Sequence, residues 1–172
     1  MIFAKGIASG FPFAGLAVEE RHLSRMTPGM LGGTYGGHIV GCAAAAATLD
    51  VIRDEGMLDN AVARGAQLMQ GLVELSSRFP IVDVRGRGLM VAAEFSTPGS
   101  AAKVCTAAFS REMLLITAGA RDTIRFLPPL NISKGEIAEC LAKLEGSLQD
   151  VFGTVSEPGS LPQDDDSKPV SL

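Results

Sequence analysis

The sequence predicts a mixed α/β protein, and three observations lead to this prediction. First, 47% of the 172 residues are hydrophobic, so the chain can bury a core. Second, apolar residues recur with the helical period over residues 57–78. Third, Pro80 ends that pattern, and short strand-like runs then alternate with helical runs. This alternation is typical of a small sheet covered by helices.

Residues 1–56 have the fragmentary strand and loop pattern found at the end of a larger domain. We expect strands at residues 1–4 and 13–18 and loops at residues 6–12 and 27–37, the second of which is rich in glycine. The Ala-rich run at residues 40–53 predicts a helix. Gly56 lies just past its end, where a C-terminal glycine belongs. The chain is therefore expected to divide near Gly56.

Residues 57–152 are expected to form a small α/β domain. Its predicted order is helix 57–78, strands 81–84 and 89–95, helix 101–113, strands 114–117 and 123–127, and a last helix to residue 152. Arg85 and Arg87 lie between glycines and are interpreted as turn residues between the first two strands. Ser133 and Glu136 have the spacing of a capping box that opens the last helix. Residues 153–172 carry Pro, Ser and an acidic triplet, which predicts a disordered tail.

Composition argues against several classes of function. The net charge is −4 and the basic residues are scattered, so no basic face for nucleic acid is expected. The three cysteines form no CxxC pair, and the two histidines are too far apart and too poor in nearby carboxylates for a recognisable metal site, so neither a disulfide framework nor a metal site is expected. The longest apolar run, residues 39–49, is too short to span a bilayer, and no signal peptide is visible. A cytoplasmic location without membrane or nucleic-acid partners is expected.

Lys5 is the most informative residue because it lies between apolar residues and glycines, in the run AKGIASGFP at residues 4–12. A lysine in an apolar, Gly-lined slot loses its proton more easily, and the neutral amine is a nucleophile that can form a Schiff base. The small neighbours would let a flat ring approach the backbone. On spacing alone, the sequence favours a surface lysine in a loop after a short strand.

Two further segments bear on this choice: GGTYGG at residues 32–37, followed by the Ala-rich helix, and IRFLPPLNI at residues 124–132. Together with the lysine run, they resemble segments of the class III aminotransferases in their residues, their order and their separation. These are pyridoxal-phosphate (PLP) enzymes typified by 4-aminobutyrate aminotransferase and its ornithine and acetylornithine relatives. The resemblance covers residues 1–152. It implies a fold-type-I PLP transferase fragment: the end of the large cofactor domain, residues 1–56, and the small C-terminal α/β domain, residues 57–152.

The resemblance also implies roles for four residues. Lys5 would be the catalytic Schiff-base lysine, acting as general base and then acid. Gly33 and Thr34 would bind the cofactor phosphate of the neighbouring subunit, which implies a homodimer. Arg125 would bind a substrate carboxylate, the alternative being a structural surface salt bridge. The chain departs from the family in one place, because His38-Ile39 follows the glycines where Asn-Pro or a similar pair is usual.

The implied reaction moves an amino group from an omega-amino acid, such as 4-aminobutyrate, to a 2-oxo acid such as 2-oxoglutarate. A carboxylate beside the pyridine nitrogen, a helix for the phosphate and an aromatic ring over the cofactor lie before the lysine in the family. The chain is therefore expected to be the C-terminal portion of an aminotransferase. Two alternatives stay open: a non-catalytic C-terminal remnant acting as an α/β interaction domain, and a small-molecule-sensing α/β domain unrelated to PLP.

Overall fold

The computed structural model describes residues 1–119 and 121–153. These residues form two compact units, the first made of Met1–Ala63 with Pro129–Asn131, the second beginning at Arg64 and including the chain from Ile132 onward. The chain passes from the first unit to the second within a helix. The domain boundary predicted at residue 56 stays a prediction, and the predicted tail lies outside the described residues apart from Gly153.

The first unit contains a short hairpin, a small helix and two longer helices. Its elements are β1 (Ile2–Phe3), a 3₁₀ turn (Lys5–Ala8), β2 (Gly15–Leu16), α1 (Glu20–Leu23), α2 (Ile39–Asp54) and the start of α3 (Met57–Ser76). Both predicted strands exist but are only two residues long, and they pair antiparallel with Phe3 opposite Gly15. Gly15 is required there because a Cβ would lie 1.9 Å from the Phe3 ring.

Gly56 separates the two long helices, as expected from its place in the sequence. Its φ of +62° is a left-handed conformation that glycine adopts without steric cost. The side chain of Asn60 then donates a hydrogen bond of 2.8 Å to the carbonyl oxygen of Leu130. This bond connects residues 129–131 to the first unit, although they are distant from it in the sequence.

The second unit is an antiparallel four-stranded sheet with helices on one face. Its elements are the rest of α3, β3 (Ile81–Arg87), β4 (Met90–Phe95), α4 (Ser100–Phe109), β5 (Ile116–Thr117), β6 (Thr123–Phe126) and α5 (Lys134–Phe152). The strand order is β3-β4-β6-β5. The core consists of buried residues from α3, β4, β6, α4 and α5: Leu68, Leu72, Val91, Ala93, Val104, Ile124, Phe126, Ile137, Leu144 and Leu148.

The predicted turn around Arg85 and Arg87 was wrong, because both residues lie on β3. Gly86 serves close strand packing, since a Cβ there would lie 2.4 Å from the carbonyl oxygen of Met90. The turn itself is shorter and begins at Gly88, whose φ is +54°. Both arginines are therefore sheet residues, and their side chains have cross-strand neighbours on β4.

The ends of the last two helices follow local signals. Helix α4 ends at Phe109, earlier than predicted, because Glu112 adopts a φ of +57° and the Met113 amide donates back to the carbonyl oxygen of Ala108. The capping box of α5 is confirmed. The Glu136 amide donates to Ser133 Oγ at 3.2 Å, and the Ser133 amide donates to Glu136 Oε2 at 2.7 Å.

No helix within residues 1–119 or 121–153 combines the length and apolarity needed to cross a bilayer.

Helix α3 approaches the β3–β4 turn so closely that only glycine fits at residue 65. A Cβ on Gly65 would lie 2.1 Å from the carbonyl oxygen of Gly88, a backbone atom that cannot rotate away. We expect Gly65→Ala to lower the free energy of unfolding by about 1–3 kcal/mol, measured by urea denaturation. Gly135→Ala in α5 is the control: its Cβ would meet nothing closer than 3.9 Å, and it should raise stability by up to about 1 kcal/mol. Equal stability of Gly65→Ala and the original chain would contradict this packing.

The three cysteines differ in how far they are buried. Cys42 is exposed, whereas burial raises the pKa of the Cys105 thiol and raises that of Cys140 from an ordinary 9.0 to about 11, with the Glu139 charge adding to the shift. At pH 8, alkylation of Cys140 is therefore expected to be about 100-fold slower than that of a thiol with an ordinary pKa, because the thiolate is the reactive form. Mass spectrometry should show Cys42 modified first and Cys140 last, with the difference removed in urea. Equal alkylation rates for Cys42 and Cys140 in the folded protein would contradict the raised pKa of Cys140.

Candidate functional site

Lys5 opens the 3₁₀ turn in a conformation that is uncommon for a residue with a side chain. Its φ is +63°, and Ser9 at the other end of the turn has a φ of +46°. Non-glycine residues in the left-handed region cost free energy and cluster at functional sites. Ala8, between them, is completely buried. The surrounding structure therefore holds the lysine in a strained backbone conformation.

Helix α2 provides the support for this turn. Ser9 Oγ lies 3.0 Å from Thr48 Oγ1, and the Thr48 hydroxyl also donates to the carbonyl oxygen of Ala44 within the helix. Gly41, at the start of α2, lies against the Phe13 ring, since a Cβ there would be 3.2 Å from it. The lysine turn is thus attached to the helix that follows the Gly-rich loop.

The apolar slot expected around Lys5 is not formed by the described residues, in which the lysine is exposed. Its neighbours Ala4 and Gly6 have no side chain long enough to cover the amine, and a Cβ on Gly6 would meet nothing within 4 Å. Ala8 is buried and does not extend over Lys5. The amine is therefore accessible to a ligand.

The Gly-rich loop is a series of tight turns that presents Gly33 and Thr34 to the outside. The amides of Met30, Gly32 and Gly36 donate to carbonyl oxygens three residues earlier. Both Gly33 and Thr34 are exposed, and a Cβ on Gly33 would meet nothing within 4 Å. Within the described ranges the Thr34 hydroxyl makes no hydrogen bond, and nothing joins Thr34 to Lys5 directly. A free hydroxyl among glycines is a suitable donor for a phosphate.

His38 ends this loop and caps α2. Its Nδ1 accepts a hydrogen bond of 3.1 Å from the Gly41 amide, which satisfies one of the amides that have no partner at a helix N-terminus. The bond requires an unprotonated Nδ1, as in the neutral tautomer with the proton on Nε2. His38, the first residue of the pair that departs from the family pattern, therefore caps the helix.

Arg125 lies on β6 in the second unit. Its register neighbours are Ala92 on β4 and Ile116 on β5. The residue is half-buried, and its Nε is buried without a hydrogen-bond partner among the described residues. No carboxylate of the described chain pairs with it, so the alternative of a surface salt bridge is not what the structure shows. The buried Nε–H is therefore an orphaned donor, the kind of atom that a partner from outside the described residues would satisfy.

Sequence reasoning missed two polar residues near Arg125. Thr123 is two residues away on the same face of β6, and its buried Oγ1 also has no partner among the described residues. Glu94 is the register partner of Thr123 on β4. The alternating pattern of residues 90–95 could have placed Glu94 on the face opposite the core. The pairing of β4 with β6, which brings Glu94 beside Thr123, cannot be predicted from the sequence of either strand alone.

These residues fall into two sets, one in each unit. Lys5, Gly33 and Thr34 belong to the first unit and Arg125 to the second. Within residues 1–119 and 121–153, no group of three or more His, Cys, Asp or Glu side chains is arranged to hold a metal ion. The two sets supply an amine, a hydroxyl beside glycine backbone, and a guanidinium. The chemistry of the first set suits an aldehyde and a phosphate, and that of the second suits a carboxylate.

The family model for class III aminotransferases matches residues 1–148. The 5-aminovalerate aminotransferase of Pseudomonas putida is 37% identical over 158 residues, which are 87% of this chain and 37% of that protein. The acetylornithine aminotransferase of Bifidobacterium longum is 41% identical over 146 residues, which are 83% of this chain and 33% of that protein. The chain therefore spans little more than a third of the length of these relatives.

Solved structures agree with the sequence comparisons. The acetylornithine aminotransferase of Elizabethkingia anophelis has a TM-score of 0.79 at 27% identity, covering 87% of this chain and 40% of that one. An amine transaminase from an uncultivated Pseudomonas species, in its PLP-bound form, has a TM-score of 0.77 at 29% identity, covering 87% and 38%. The predicted α/β transferase fold is confirmed. The chain belongs to the class III aminotransferases, a PLP-dependent family.

The His38 cap is expected to stabilise the first turn of α2. His38→Ala removes the acceptor for the Gly41 amide and should lower the free energy of unfolding by about 0.5–2 kcal/mol, whereas His38→Asn keeps a capping acceptor and should lose less. His22→Ala is the matched control, because His22 is exposed on α1 and makes no capping bond. Thermal denaturation followed by circular dichroism measures the stability of the three variants. If His22→Ala destabilised the protein as much as His38→Ala, the capping role of His38 would be contradicted.

Proposed function

We propose that this chain carries the cofactor lysine and the carboxylate-binding arginine of a PLP-dependent aminotransferase. The reaction moves an amino group from an omega-amino acid, 4-aminobutyrate or a similar compound, to a 2-oxo acid such as 2-oxoglutarate. The observation that carries the proposal is Lys5, held in a strained turn that is attached to α2, within a chain that belongs to this family. The relatives named for 5-aminovalerate and acetylornithine support donors whose amine is distant from a carboxylate.

The residues of this chain fit PLP in three respects. The Lys5 amine is exposed and can condense with an aldehyde. The Thr34 hydroxyl has no partner within the described ranges, and space is open beside Gly33, so a phosphate can approach the backbone. Arg125 has an Nε that is buried without a partner among the described residues, and a guanidinium is the group that suits a carboxylate. The carboxylate beside the pyridine nitrogen, which the family needs, is not assigned to any residue of this chain.

Each residue then has a distinct task. PLP supplies an electron sink when it is bound. Lys5 would hold the cofactor covalently, and its free amine would act as the base that takes the proton from the substrate carbon bearing nitrogen and then as the acid that gives this proton up to the cofactor carbon. Thr34 and the adjacent backbone amides bind the phosphate, in the neighbouring subunit if the protein is a homodimer. Arg125 orients the substrate through a bidentate contact to its carboxylate. A cytoplasmic location is part of the same proposal.

The competing proposal is a non-catalytic remnant that acts as an α/β interaction domain. Two observations favour it: the chain spans little more than a third of its relatives' length, and its lysine is exposed. The two proposals differ in one property that can be measured directly. An aminotransferase segment must select Lys5 over the other exposed lysines for covalent attachment of PLP, whereas a remnant has no reason to select it.

Covalent labelling with PLP tests this difference. The chain is mixed with PLP, reduced with borohydride to convert the lysine–cofactor linkage into a stable amine, digested, and analysed by mass spectrometry. We expect stoichiometric labelling of Lys5 at PLP concentrations that leave the exposed Lys103 and Lys134 unlabelled. Lys5→Arg, which keeps the charge but not the nucleophile, should abolish the label, and Lys134→Arg should not. Equal labelling of all three lysines in folded protein would contradict the proposal and favour the remnant.

A further inference from the structure

One face of the sheet in the second unit carries charged residues in two adjacent rows. Arg85, Ala92 and Arg125 form the first row, because Ala92 is the register partner of both arginines. Neighbouring strands lie about 4.8 Å apart, so the Cα atoms of the two arginines are separated by about 10 Å. The small side chain of Ala92 leaves space between them. The second row contains Asp83, Glu94 and Thr123, with Glu94 in the middle.

Both carboxylate oxygens of Glu94 are already bound to arginines. Oε2 accepts a hydrogen bond of 2.9 Å from Arg85 Nη1, and Oε1 accepts one of 3.3 Å from Arg121 Nη1. Arg85 also bridges to Asp83. The Glu94 side chain is only 14% exposed. A carboxylate with so little access to water depends on these two arginines for its hydrogen bonds.

Arg125 is a diagonal neighbour of Glu94 but does not bind it. Diagonal residues on adjacent strands lie about 7–8 Å apart, which is within reach of a long arginine side chain. A mostly buried carboxylate beside an arginine with an unpaired Nε would ordinarily form an ion pair with it. Here Arg85 and Arg121 bind one oxygen of Glu94 each and compensate its negative charge.

We propose that Arg85 is a positioning residue: by binding Glu94, it prevents an internal ion pair between Glu94 and Arg125 and keeps the Arg125 guanidinium available to the carboxylate of an external small molecule. The inference rests on the proposed function for the assignment of Arg125 to a ligand carboxylate. Arg121 has the same effect through the other oxygen of Glu94. Loss of Arg85 frees Glu94 Oε2, which then competes with the ligand.

The test uses glutarate, a dicarboxylate with neither an amine nor a ketone, so that PLP is not needed. Its dissociation constant for the whole chain is obtained by NMR from the Nε–H signal of Arg125. We expect Arg85→Met to weaken glutarate binding about 5-fold or more and to shift the Arg125 signal in the absence of glutarate, because Glu94 then pairs with it. Arg121→Met, at a position whose side chain is 75% exposed, should weaken binding about 2-fold and serves if Arg85→Met does not fold.

Two double variants separate competition by Glu94 from a general loss of positive charge. Arg85→Met with Glu94→Gln and Arg85→Met with Asp83→Asn have the same net charge as the original chain. Only the first removes the competing carboxylate, so it should restore glutarate binding to within about twofold, and the second should not. Arg78→Met, which removes an arginine paired with Glu145 elsewhere in the unit, should leave binding unchanged.

Three results would overturn the inference: unchanged binding in Arg85→Met and Arg121→Met, equal rescue by Asp83→Asn and Glu94→Gln, or no response of the Arg125 signal to glutarate in the original chain. Each of these is independent of PLP labelling. Selective labelling of Lys5 together with either of the first two would reject the positioning role alone, and together with the third it would also reject the carboxylate role proposed for Arg125. Unselective labelling together with the expected glutarate pattern would reject the aminotransferase proposal and retain a carboxylate site.

Discussion

The second unit depends on one constraint, which is the burial of every other residue of β4 beneath the helices. Because strand side chains alternate, the three buried residues of β4 leave Ala92 and Glu94 on the opposite face. Because β6 pairs with β4 in a fixed antiparallel register, its side chains alternate in the same way: Ile124 and Phe126 lie in the core, and Arg125 lies on the opposite face. A slip of one residue would bury the guanidinium and expose both apolar side chains. Hydrophobic packing therefore decides which face carries Arg125.

In the first unit, the position of the Lys5 amine depends on a different kind of contact. Short strands and tight turns bury little surface, so the position of Lys5 depends on attachment to α2 through Ala8 and the Ser9–Thr48 contact. The same helix begins at the His38 cap, directly after the loop that contains Thr34. One helix thus supports both the turn with the amine and the end of the loop with the hydroxyl. Its Ala-rich composition gives it a high helix propensity, which suits a supporting element.

Local signals in the sequence predicted much of this architecture. The period of the long helices, Gly56 between them and the capping box at Ser133 are short-range features, and the structure confirms each. Strand pairing is a long-range property, so the sequence placed Arg85 in a turn and did not predict its contact with Glu94. The enclosure of Lys5 in an apolar slot stays a prediction. An apolar stretch of sequence does not enclose a side chain unless other elements cover it, and the described residues do not.

Strand β3 lies at the edge of the sheet, and within the described residues no strand pairs with its outer side. A seven-residue edge strand is a template on which another polypeptide can add a strand, which leads to aggregation. Asp83, Arg85 and Arg87 place a charge at every second position along this edge, while Val82 on the alternate side is exposed. Charged side chains along an edge discourage the addition of a second copy, and in a parallel, in-register pairing like charges would face each other. The arginine that restrains Glu94 thereby also contributes to keeping the protein in solution.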